Sequence, residues 1–197
     1  MLESYFESNV IDVNNSQRLG VNNLALAEQN AVKQKAITRN ITLILAIGNL
    51  LMTDEGAGIH VLNYLIKNQT QPSENIIFLD GGTLSFSLAA HIQNSDNLIV
   101  IDAAELNQSP GFVKTFVGTQ MDQQLGHCKL SVHEVGLIDL MDMVKLGGHL
   151  PKNRALVGIQ PLTIADWSVK PSVPVTKAIP LAAEQVSNLI KEWHQHD

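Results

Sequence analysis

The chain has 197 residues, of which 45% are hydrophobic and 16% charged, and it carries a net charge of −6. That is ample material for one domain with a sizeable core. The acidic balance and the lack of any Lys/Arg cluster argue against nucleic acid or an anionic membrane surface as partner. Cys128 is the only cysteine, which excludes an internal disulfide and leads us to expect a reducing, cytoplasmic compartment.

The first residues, MLESYFESNVIDVNN, lack a basic n-region and a continuous apolar stretch, so no secretory signal is expected. Residues 1–40 read as a polar N-terminal extension, rich in Asn and Gln and without a strand pattern. They are either disordered or carry a short helix over Ala25–Lys35. Residues 41–197 read as a single α/β domain. Ile41–Ile47 is apolar and β-branched, the length of a core strand and too short for a membrane span. Gly48-Asn49 ends it, and a helix over Asp54–Lys67 follows, with Thr53 and Asp54 as candidate N-caps.

Strand Asn75–Leu79 runs into the turn Asp80-Gly81-Gly82-Thr83, and Leu84–Gln93 reads as a helix. Strand Asn97–Ile101 ends at Asp102. Ser109-Pro110-Gly111 turns into a strand over Gly111–Val117. His133–Leu146 is an amphipathic helix with Leu137, Leu140, Met141 and Val144 on its core stripe, closed by Gly147-Gly148. Arg154–Ile159 is a strand, and the last helix lies within Val173–His194. This alternation predicts a three-layer α/β fold: a mostly parallel twisted sheet of about five strands with helices on both faces.

Three of these strands finish in acid, at Asp54-Glu55 after a short loop, at Asp80 and at Asp102. In a parallel sheet such ends share one edge, where loops converge into a crevice. For Asp54 and Glu55 the plainer role is to complement a helix dipole, for which one carboxylate suffices. Asp102 is delivered by four apolar residues of LIVIDAAE. A strand-end Asp serves equally as a turn former or as a site acid. His133, in the first turn of its helix, is the nitrogen partner most within reach of the same crevice, and a surface histidine near an N-cap is the competing reading. Two carboxylates and an imidazole would accept Zn, Ni, Fe or Mn with little discrimination.

Other chemistries fit poorly. There is no P-loop and no G-x-S-x-G elbow, and Gly56-Ala57-Gly58 follows the acids rather than the strand, unlike a dinucleotide fingerprint. Leu137 stands where a zinc-protease helix starting at His133 would need His. Cys128 beside His127 gives only sequence adjacency, which does not make a catalytic pair.

GNLLMTDEGAGIHV, the DGGT turn, LIVIDA, SVHEVGL and LVGIQP, in this order and spacing, resemble the nickel–iron hydrogenase maturation endopeptidases over residues 41 to about 185. The resemblance implies a single-domain protease that removes the C-terminal peptide of a NiFe-hydrogenase large-subunit precursor, with no nucleic-acid or membrane partner. It places the catalytic, metal-contacting residues on Glu55, Asp102 and His133. Nickel would be supplied by the substrate as a recognition element rather than held permanently. Asp54 is expected as a cap and orienting residue. Asp80, Gly81 and Gly82 are candidates for the substrate groove, a plain turn being the equal alternative. The HEVGL and GIQP forms lean toward proteases of uptake-type hydrogenases. A non-catalytic chaperone that checks the nickel centre is the alternative function. A nucleoside-type hydrolase is the other, and the want of a glycine-rich loop backed by Arg or Lys counts against it.

Overall fold

Every residue of Thr42–Ala46 (β1) and Asn97–Ala103 (β3) is buried, and these two strands form the centre of a five-stranded sheet. The computed structural model describes residues 40–68, 74–127 and 132–195, with backbone alone for 126–127 and 132–135. Residues 1–39, and with them the expected extension, lie outside the described residues, as does Cys128. Ile76–Asp80 (β2), Val113–Val117 (β4) and Asn153–Ile159 (β5) complete the sheet in the order β2-β1-β3-β5-β4. All neighbours are parallel except β4, which pairs antiparallel with β5, Val113 opposite Ile159.

Alternation along the buried strands feeds two separate cores. Ile44, Ala46, Ile99, Ile101 and Val157 face the helices Ala57–Asn68 (α1) and Val173–His194 (α5). Leu43, Leu45, Leu98, Val100 and Leu156 face Leu88–Gln93 (α2), Thr119–His127 (α3) and Val132–Leu146 (α4). Strands covered on both faces need no polar side, which is why their sequences are continuous apolar runs. The expected core stripe of α4, Leu137, Leu140, Met141 and Val144, is buried in the second core.

Three differences from the sequence reading have local causes. Helix α3 went unpredicted because only Met121 and Leu125 of it are buried hydrophobics, one i, i+4 pair that makes no visible period. The helix expected from Leu84 starts only at Leu88, since Leu84 takes a φ of 69°, outside the helical region. The helix expected from Asp54 begins as a 3-10 turn, Thr53–Gly56, before α1 proper.

The chain runs from β1 through α1 to β2 on one face, then returns through α2 on the other face to β3. The two crossovers leave a switch point between β1 and β3, the place where open α/β sheets form a crevice. Helix α1 is seated tightly against this point. A side chain at Gly58 would overlap the carbonyl oxygens of both Ile47 and Ile101. Only a residue without Cβ lets the helix approach so near the strand backbone.

Candidate functional site

The exit of β1 is fixed to β3 by the Ile47 amide, which donates to Ile101 O at 2.9 Å. Gly48 follows with a φ of 141°, and a Cβ there would overlap the Glu55 carbonyl oxygen. The chain thus folds back so that the 3-10 turn lies directly on the strand exit. The Gly48 amide also donates to Gly82 O at 2.8 Å, and the Gly81 amide to Ala46 O at 2.8 Å, which joins the DGGT turn to the same exit.

Within the 3-10 turn the two acids separate. Asp54 is fully buried (0% exposed). One carboxylate oxygen accepts from the Leu162 amide at 2.8 Å and the Thr163 amide at 3.3 Å, and the other accepts from the Ser172 amide at 2.7 Å. The expectation that Thr53 or Asp54 caps the helix is therefore corrected. Met52 occupies the N-cap position without a side-chain bond, while Asp54 is turned away to tie down the loop between β5 and α5. Three aligned amides from another segment satisfy a buried carboxylate better than a helix end that can turn to water.

Thr53 joins this tie. Its amide donates to Ser168 O at 2.8 Å and its hydroxyl to Asp166 O at 2.6 Å, and its φ is 43°. A β-branched residue in the left-handed region stores strain on the order of 1–3 kcal/mol and persists only where its surroundings over-determine it. A parallel bridge between Met52 and Ser168 completes the clamp. Glu55, the next acid along, is half-buried in the same turn.

Asp102 is 2% exposed and stands one residue beyond the Ala46–Ile101 pair, level with the β1 exit. By alternation it shares the face of Leu98 and Val100, the face covered by α4. His133 is the second residue of α4. The first turns of that helix reach the same edge of the sheet, since a Cβ at Gly136 would lie 3.3 Å from the Leu84 side chain, in the loop after β2. The His133 side chain lies outside the described residues. Among the described residues no group of three His, Cys, Asp or Glu side chains is placed to hold a metal. Asp80 is exposed, and its carboxylate accepts from the Gly82 amide at 2.9 Å, closing its own turn.

Two side chains that the sequence reading passed over shape the site. Gln160, 5% exposed, accepts from the Leu106 amide at 2.7 Å and the Gln108 amide at 3.3 Å, and so holds the loop after β3 against the exit of β5. Its position in GIQP was visible, but its partners lie more than fifty residues away. His60, on α1, has a buried Nε2 with no hydrogen-bond partner. Burial lowers its pKa below the ordinary 6.5, against a smaller opposing effect from the Asp54 carboxylate. The unfolded chain then binds the proton more readily than the native protein, so stability falls as pH drops below about 6.5. His60→Gln is expected to reduce the difference in unfolding free energy between pH 7.5 and pH 5.5, as measured by urea titration. An unchanged difference would show that His60 does not contribute to it.

A cleft of about 420 Å³ lies elsewhere, between α1, β2 and α5, lined by Tyr64, Phe78, Pro180 and Ile190. Glu184 is the one carboxylate on its lining, and none of the strand-end acids Asp54, Glu55, Asp80 or Asp102 reaches it.

A family model described as hydrogenase maturation protease matches residues 59–189, a span that includes Asp102 and His133 and begins after Glu55. The hydrogenase expression/formation protein HupD of Rhizobium leguminosarum bv. viciae is 33% identical over 151 residues, covering 77% of this chain and 74% of that protein. The hydrogenase 2 maturation protease of Escherichia coli is 30% identical over 155 residues, 76% of this chain and 90% of that one. Among solved structures, the hydrogenase maturating endopeptidase HybD from Escherichia coli superimposes with a TM-score of 0.72 at 29% identity, covering 77% of this chain and 93% of HybD.

Proposed function

Since this chain belongs to the hydrogenase maturation protease family, we propose that it removes the C-terminal peptide of a NiFe-hydrogenase large-subunit precursor once nickel has been inserted into that precursor. The observation that carries the reading is the placement of Glu55 and Asp102 at the β1/β3 switch point, with the first turns of the helix that bears His133 at the same edge.

Nickel enters as part of the substrate. Thiolate-bound nickel with open positions accepts carboxylate and imidazole ligands, and Glu55, Asp102 and His133 are those types. Docking through the metal would fix the scissile amide beside the crevice, which supplies orientation without a dedicated peptide pocket. Hydrolysis then breaks the amide C–N bond: water gives its hydroxyl to the carbonyl carbon and a proton to the departing amine. A carboxylate held half-buried at the crevice, as Glu55 is, suits the role of accepting the water proton. Asp80, Gly81 and Gly82 flank the crevice as groove residues in this reading.

No described helix is long and apolar enough to cross a membrane, and the single cysteine suits a reducing compartment. We take the cytoplasm as the place of action. The test is mass spectrometry of nickel-loaded and nickel-free precursor before and after incubation with the protein. Loss of one defined C-terminal peptide from the nickel-loaded form alone is expected. Equal shortening of both forms would refute nickel as the recognition element. A precursor that binds but never shortens would favour the checking chaperone instead.

A further inference from the structure

The loop from β5 to α5 exposes large apolar side chains beside the crevice. Trp167 is 79% exposed, Val169 61%, Leu162 58% and Ile164 42%, and Leu51, at the start of the turn that carries Glu55, is 52% exposed. Across the crevice, Phe86 in the loop after β2 is 69% exposed. All these loops leave the carboxyl ends of β1, β2 and β5. At the opposite edge of the sheet the described loops 94–96, 118 and 147–152 expose no large hydrophobic residue, and the element ends beside them carry only the separate side chains of Val117 and Leu146. Single exposed hydrophobics are ordinary, but a group of them around one crevice marks an interaction surface.

The loop is also held rigid. Asp54 binds it at Leu162, Thr163 and Ser172, Thr53 binds it at Asp166 and Ser168, and the Ser168 amide returns to Leu51 O at 3.0 Å. The same buried carboxylate that lies next to Glu55 in sequence thus fixes the apolar loop in register with the crevice. A surface presented in one conformation loses little entropy on binding.

We propose that Leu51, Leu162, Trp167 and Val169 form the surface on which the folded body of the large-subunit precursor docks, through an apolar patch next to its cleavage segment. This inference rests on the proposed function. The occupant is the substrate protein because the surface is continuous with the crevice, so that whatever covers it places its own chain beside Glu55. An extended tail alone would have no need of a broad, clamped face.

Kinetics with the whole nickel-loaded precursor, together with fluorine NMR of the 5-fluorotryptophan-labelled protein, test the proposal. Trp167→Ser is expected to raise the KM about tenfold with kcat little changed, as for an exposed anchor side chain at an interface. Leu146→Ser, which alters an 89%-exposed residue at the far end of α4, should leave KM unchanged. The Trp167 resonance should shift on adding precursor while that of Trp193, 9% exposed, stays in place. Normal cleavage with an unaltered KM in Trp167→Ser and in Val169→Ser, or an unmoved Trp167 signal, would overturn the docking surface alone. No cleavage by the unaltered protein would overturn the function, and with it this surface.

Discussion

Glu55→Gln is expected to lower the rate of precursor processing by about 100-fold or more while leaving the fold intact, because small losses of positioning at a reacting centre are amplified to that extent. The residue is half-buried in the turn on the β1 exit, and glutamine matches its shape, so the loss should fall on activity and not on stability. Asp102→Asn and His133→Ala should behave alike if the three residues act as one unit, and the double variants should then be little worse than the single ones. Single-turnover assays on nickel-loaded precursor, with circular dichroism to check folding, decide the matter. Normal processing by all three single variants would remove the assignment of the site.

Asp54→Ala should act in the opposite sense, on stability first. Its carboxylate is the acceptor for three backbone amides of the β5–α5 loop. Alanine would leave those amides without their acceptor in a buried site, a loss on the order of 3–5 kcal/mol. The clamp on Thr53 would loosen with it, and the turn that carries Glu55 would lose its support. Urea denaturation should therefore show a lower midpoint, and processing should fall even at temperatures where the variant is folded. A variant as stable as the parent would mean that water or another side chain replaces the carboxylate.

These two acids are neighbours in sequence but differ in burial, Asp54 being fully buried and Glu55 half-buried. Sequence alone justified attention to the pair, because one carboxylate is enough to complement a helix end. It did not separate them, since the partners of Asp54 stand more than a hundred residues further on, at Leu162 and Ser172. The same holds for Gln160, which pins a loop more than fifty residues before it. Gly58 belongs to the same class. It stood out in GAG as a failed nucleotide motif, whereas its role is to let α1 rest on the carbonyls of two strands.

The family itself was legible from five short motifs, and the matched model and relatives bear that identification out. By itself the sequence determined the fold class, the ordering of the strands and most helices along the chain, the strand-end acids and the family. Apolar runs and helical periods are local signals, and so are motifs. Tertiary structure alone decided that β4 runs antiparallel, that α3 exists, and that the β5–α5 loop is clamped beside Glu55. It alone decided that Asp54 supports that loop rather than capping the helix. Apart from α3, whose two buried hydrophobics leave no readable period, each of these rests on contacts between segments far apart in the chain, where the hydrogen bonds left unsatisfied by one segment are met by another, and no local pattern encodes which partner that will be.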